Sequence, residues 1–287
     1  MTASPPPSAV GVARPRMLSR LAHPYRLSLA SLLVFLVGVP TIFLTRLVFQ
    51  ATRPEYFATT IPTISKSSAF APASDVFLIG MLVVAPCIVI SWWLVFRLSR
   101  ERARALSAGT RQRRFYLGFA AAAAGLGVLA GLSLASLAII TLETNDPAHI
   151  VLSYAFFVSQ LAAYLADTCG ALLLNRALAA ERGDAAKHGL GGKPALCLFV
   201  TLLGFFFLFL FLARDQGVFQ NEMLAQGLYV LSEYVLATLC FAYAALYFPE
   251  LRGHFRASFD ASIARPGGFA SARTLDSATT PSNGRRG

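Results

Sequence analysis

The sequence predicts an all-α fold, a polytopic membrane protein built as a bundle of six transmembrane helices. Composition is the first ground for this. Charged residues make up only 14% of the chain and hydrophobic ones 56%, whereas soluble domains carry roughly 25% charged residues. The second ground is that the apolar residues fall in continuous blocks, each near the length of about 20 residues that crosses a bilayer as a helix. A soluble core would break into shorter amphipathic stretches, and a membrane β-barrel would alternate in polarity. The third is the placement of the basic residues, taken up below.

Residues 1–26 are rich in Pro, Ser and Arg and are expected to form a disordered basic cytoplasmic N-terminus. The membrane domain is expected to cover residues 27–250. Its first block, 27–44, holds Gly38 and Pro40. This block is longer than the roughly 7–15 apolar residues of a signal peptide, and no clear small-residue cleavage site follows, so it reads as a retained span. The second, 76–96, carries Pro86, a predicted kink, and Trp92 and Trp93 near its end, where indoles favour the membrane interface. The third, 115–142, contains Gly127 and Gly131, a spacing that lets another helix approach closely. The fourth is 150–174. The fifth, 195–213, contains the aromatic run 205–211, apolar all round and best placed against lipid. The sixth, 225–248, is stopped by Pro249. The tail, 251–287, is rich in Ser, Thr, Gly and Arg and is expected to be disordered and to lie near anionic lipid.

Charge gives the bundle a direction. Four Arg precede the first block, seven lie in 97–114, four Lys or Arg in 176–193 and six Arg in the tail, together 21 of the 25 basic residues. The remaining four are Arg46, Arg53, Lys66 and Arg214. Alternate loops are therefore basic and base-poor, the pattern of an even number of spans with both termini in the cytoplasm. The net charge of +11 belongs to this pattern and to anionic headgroups, not to nucleic acid. Cys87, Cys169, Cys197 and Cys240 each fall inside an apolar block without metal-site spacing, so neither a disulfide framework nor a metal centre is expected.

Polar residues inside the blocks mark the inner face, because ionisable groups in a span are costly and turn away from lipid. Asp146, Ser153, Gln160 and Asp167 recur every seven residues in and before the fourth block, a step that drifts only about 20° around a helix. His149 and Tyr164 fall near the same stripe. The sixth block has a shorter stripe of Gln226, Tyr229, Glu233 and Cys240. Structural roles compete with chemical ones throughout: these groups can satisfy one another and fix helix register. Asp146-Pro147 also reads as a helix start, with Asp as N-cap and Pro at the first turn. No P-loop, dinucleotide fingerprint or Gly-x-Ser-x-Gly elbow occurs. Only His149 of the four histidines lies toward the base-poor end, so a multi-histidine zinc site is not assembled. No catalytic residue is assigned, no cofactor is called for, and a non-enzymatic factor is favoured.

The first base-poor loop reads Ile61-Pro62-Thr63-Ile64-Ser65, followed by Pro72 and by Val76-Phe77 at the start of the second block. With Asn145 and His149 opening the fourth block and Leu231-Ser232-Glu233-Tyr234 in the last, this resembles the FRAG/DRAM/SFK family of multi-span membrane proteins over roughly residues 27–250. The resemblance departs from the usual pattern where Tyr234 replaces Trp and Lys66 follows the Ser. It implies a lipid-handling role: support of GPI-anchor lipid remodelling, with GPI or phosphoinositide headgroups as partners. The alternative it implies is a scaffold recruiting a cytoplasmic protein partner through basic loops and tail. Pro62, Ile64, Ser65, His149, Glu233 and Tyr234 are the motif positions; Asp146, Gln160 and Asp167 come from the stripe. An endomembrane (Golgi, ER or lysosome) or the plasma membrane fits the resemblance equally.

Overall fold

A computed structural model describes residues 24–104, 110–182, 192–216 and 218–263. Among them there is no strand. A short turn of helix, α1 (Pro24–Leu27), leads into α2 (Leu29–Thr52). The loop beyond carries two short helices, α3 (Pro54–Thr59) and α4 (Ile64–Ser67). Then come α5 (Ala73–Arg104), α6 (Thr110–Ile139), α7 (Asp146–Arg182), α8 (Lys193–Asp215), α9 (Glu222–Ala245) and α10 (Phe248–Ile263). Six helices, α2 and α5 to α9, are long and apolar enough to cross a membrane. Pro40 and Pro86 lie inside α2 and α5, and both helices continue through them.

The six long helices form a closed ring. Each packs on the next in chain order, and α9 closes on α2; the α7–α8 seam is the loosest of the six. Apolar surface alone does not drive helices together in lipid, so close approach must come from small residues and polar contacts. The α5–α6 seam illustrates the first. A Cβ added to Gly127 would collide with the indole of Trp92, and one added to Gly131 would lie 2.7 Å from Val89 Cγ2 and 3.0 Å from the Ala85 carbonyl. The Gly-x-x-x-Gly spacing therefore does admit a neighbour, and that neighbour is α5.

Several expectations are corrected inside the ring. Trp92 is an interior residue, not an interfacial one: it stacks on Tyr164 with ring centroids 5.9 Å apart. Trp93 alone is exposed, with the Arg97 guanidinium 5.2 Å over its ring. The aromatic run of α8 is two-sided. Phe205 and Phe209 face outward, whereas Leu210 is buried and Phe207 packs against the core, because a helix turns about 100° per residue and cannot present seven successive side chains to lipid. The tail is not irregular from residue 251: α10 runs to Ile263, with Leu251 and Phe255 buried. The expectation for 264–287, like that for 1–23, lies outside the described residues.

Polar contacts hold the arginine-rich end. Glu250 of α10 pairs with Arg102 of α5 and, at 2.6 Å, with Lys193 of α8. His254 lies 2.5 Å from Glu101. Arg252 Nη2 donates to the Tyr25 hydroxyl at 3.3 Å, which brings α10 against α1. The two ends of the described fold thus meet at one end of the ring, as an even number of crossings requires.

The Gly127 contact is testable. Gly127→Leu is expected to lower the thermal unfolding temperature of the detergent-solubilised protein by several degrees, by forcing α5 from α6. Gly118→Leu, where an added Cβ meets nothing within 4 Å, should leave it unchanged. Equal melting of both variants would count against the seam.

Candidate functional site

At the base-poor end the ring is covered by the loop that carries the Ile61-Pro62-Thr63-Ile64-Ser65 segment. Three side chains from the spans hold it through its backbone. Arg46 of α2 donates to the Pro62 carbonyl at 3.0 Å, and Gln226 of α9 donates to the Ile61 carbonyl at 2.7 Å. Glu233 of α9, buried, accepts the Ile64 N–H at 2.9 Å and the Ser65 N–H as well. These N–H groups open α4 and have no partner within that short helix, so a carboxylate there satisfies donors that would otherwise be orphaned. Thr63 caps the same helix, its hydroxyl oxygen accepting the Lys66 N–H at 3.0 Å. The buried Tyr234 ring lies beneath the Arg46 guanidinium, 5.2 Å from its centroid. The two motif positions in α9 therefore divide the work: Glu233 holds the loop, and Tyr234 supports the arginine that also holds it.

Beneath the loop lies a cavity of about 260 Å³ to which all six spanning helices contribute. Its polar points are Thr63, Ser65, Ser68, His149, Ser153 and Glu233, gathered toward the loop, together with the tyrosines Tyr154 and Tyr229. The remaining wall is apolar and largely aromatic, including Phe156, Phe157, Phe207, Phe211 and Phe241. The space is therefore amphipathic, with hydrogen-bonding groups at its loop end and rings deeper in.

Among the residues lining the cavity, His149 is the one with a fully buried polar side-chain atom that lacks a hydrogen-bond partner. It sits in the first turn of α7, where Asn145 provides the cap: Asn145 Oδ1 accepts the Ala148 N–H at 3.1 Å and its carbonyl accepts the His149 N–H at 3.0 Å. The cap is thus Asn145 and not Asp146, which is exposed one residue into the helix and away from the cavity. His149 Nδ1 lies 2.6 Å from the Ile140 carbonyl at the end of α6. A carbonyl only accepts, so Nδ1 carries the proton, and in the neutral ring Nε2 presents a lone pair. Nε2 is buried with no hydrogen-bond partner among the described residues. Buried polar atoms are rarely left so, which makes His149 the atom most open to a bound molecule.

The fourth-span stripe separates into two groups. Ser153 lines the cavity and donates to the His149 carbonyl at 2.9 Å. Gln160 and Asp167 do not line it. Gln160 Nε2 donates to the Tyr164 hydroxyl at 2.5 Å, which in turn donates to the Cys240 carbonyl of α9 at 2.5 Å. Asp167 accepts the Tyr247 hydroxyl. With Tyr243 stacked on Tyr164 at 3.8 Å, these residues tie α7 to α9 nearer the arginine-rich end. The drift of a seven-residue repeat is small, but one face of a long helix still passes successive layers of the bundle. Arg46 was not anticipated; an arginine just inside the base-poor end of a span, followed by aromatic residues in the loop, is the signal that points to it.

The family model described as Frag1/DRAM/Sfk1/Cwh43P N-terminal domain matches residues 24–254. The chain belongs to this family. Comparison with curated proteins and with solved structures gave no match. The match spans every helix from α1 to the first turns of α10, so the loop, its three anchors and His149 all lie within the family domain.

The anchoring role of Glu233 predicts a local effect. Hydrogen bonds to charged groups contribute about 1.5–3 kcal/mol each, so Glu233→Leu should speed amide exchange of residues 61–68 by more than tenfold while the spans keep their protection. Exchange of that segment at the wild-type rate would remove the anchor.

Proposed function

We propose that this multi-pass membrane protein is a lipid-handling factor that receives a lipid headgroup in the cavity beneath the loop, in support of GPI-anchor lipid remodelling or a related process. The observation that carries this reading is the unpartnered Nε2 of buried His149 in a space that is polar toward the loop and aromatic below. A hydroxyl-rich headgroup would donate to Nε2 and to the serine oxygens, while apolar parts contact the rings. In this reading the arginine-rich end is cytoplasmic, the cavity opens toward the lumen or cell exterior, and the protein works in an endomembrane or at the plasma membrane. Glu233 serves by holding the loop as lid of the cavity, and His149 by meeting the headgroup.

The test is lipid analysis in a GPI-anchoring cell that depends on this chain. His149→Ala and Glu233→Gln should leave its abundance near wild type and shift the chain composition of GPI-anchor lipids, measured by mass spectrometry. Unchanged anchor lipids in both variants, at normal abundance, reject the reading.

A second reading, a scaffold for a cytoplasmic protein partner, is favoured by the exposed arginines at the basic end, among them Arg100, Arg113 and Arg252. Because α10 is packed into the bundle, its test is truncation after Ile263, which leaves that helix whole. On the scaffold reading that truncation abolishes function and the His149→Ala variant is silent; the reverse outcome excludes it.

A further inference from the structure

The cavity has a neighbour that the headgroup reading leaves unused. Along the loosest seam of the ring, between α7 and α8, runs an apolar groove of about 230 Å³. It follows residues 154–165 of α7 and 201–208 of α8, with Leu236 of α9 among its lining residues. At about 1.5 Å per residue the α7 side extends over roughly 16 Å. No charged residue lines it. Leu236 is 1% exposed and forms the floor, while Val158 at 61% and Phe205 at 67% stand at the outer rim. The groove therefore faces outward from the ring, where a spanning bundle meets acyl chains.

Every surface groove in a bilayer is covered by lipid; what distinguishes this one is its upper end. Tyr154, Phe157 and Phe207 line both the groove and the cavity. Phe157 and Phe207 face each other across the seam with ring centroids 5.8 Å apart. Lower down, Gly204 lets α7 and α8 approach closely, with Leu161 packed over it: a Cβ added there would lie 2.6 Å from Leu161 Cδ1, so the groove runs beside a tight contact that fixes its width. A lipid whose headgroup meets His149 must put its chain somewhere, and this wall is the junction between the polar space and an apolar path to the membrane.

We infer that the α7–α8 groove holds one acyl chain of the same lipid molecule whose headgroup occupies the cavity, the lipid entering sideways through that seam. The inference rests on the lipid reading of the cavity and adds to it the chain site and the direction of entry. Chain length is then sensed along α7 and α8, and headgroup identity at His149, by separate residues.

The experiment uses the full chain in membranes with two probes: a phosphatidylinositol carrying a diazirine at mid-chain, and a short-chain phosphatidylinositol with the photoreactive group on the inositol. Labelled peptides are mapped by mass spectrometry. The chain probe should concentrate on 154–165 and 201–208, and its labelling should fall several-fold in Ala162→Phe and in Thr201→Phe, which enlarge side chains lining the groove. The headgroup probe should label the segments around His149 and Glu233 equally in wild type and both variants. Chain labelling spread over all six spans of the wild type, or untouched by the two substitutions, overturns the groove. If the headgroup probe labels the cavity while the chain probe misses the seam, the cavity reading stands and this inference falls. If neither probe labels its segment, both fall. A variant that does not elute as a single species is set aside, and the wild-type map decides.

Discussion

A carboxylate buried in a span is among the more expensive groups a membrane protein can hold, and in this bundle Glu233 is placed where that cost is met by backbone donors. The N–H groups of Ile64 and Ser65 open a helix, where no preceding turn offers them an acceptor, and α9 brings the carboxylate to them. Each partner removes the other's penalty. Because the two lie 169 positions apart in the chain, the contact also fixes where the first loop rests on the last span. The cavity exists under that loop, and His149 faces a sheltered space only because the loop stays down. Arg46 and Gln226 reinforce the same position through carbonyls, so the loop is held by its backbone and its side chains remain free to line the space below.

The bundle is layered along its axis. Toward the loop, hydrogen-bonding groups surround the cavity, and one of them, His149 Nε2, has no partner. Toward the arginine-rich end, Gln160 bonds Tyr164, which bonds the Cys240 carbonyl, Asp167 accepts from Tyr247, and Glu250 pairs with Lys193, contacts that reach four helices. The second layer gives the ring rigidity where the first requires room. Both layers draw on the same stripe of α7, which passes from an open pocket to a bonded core within three turns.

Much of this was legible from residue types. Six blocks of sufficient length, separated by alternately basic and base-poor loops, gave the number and order of the spans, and the Gly127–Gly131 spacing marked a close seam. His149 and Glu233 were singled out because polar residues in such blocks turn inward, and Ser65 because its loop segment resembles a family motif. What sequence could not supply was depth. Periodicity places Ser153, Gln160 and Asp167 on one face but does not say that the first reaches a cavity and the others a tyrosine network. The partners of Glu233 are backbone atoms, which have no letter in a sequence. Trp92 misled because an indole's preference for the interface yields to a glycine opposite that leaves room for it inside. The first part of the tail misled because polar composition hid Leu251 and Phe255, spaced one turn apart on a helix that docks.

The contact between Arg252 and Tyr25 has a topological meaning. The polypeptide winds once around the ring, each span laid beside its predecessor, and finishes against the place where it started. The path is cyclic in space though linear in covalent bonds. A short connection from α1 to the first turn of α10 would complete the circuit without crossing any seam, and the order of helices around the ring would read the same from any starting span.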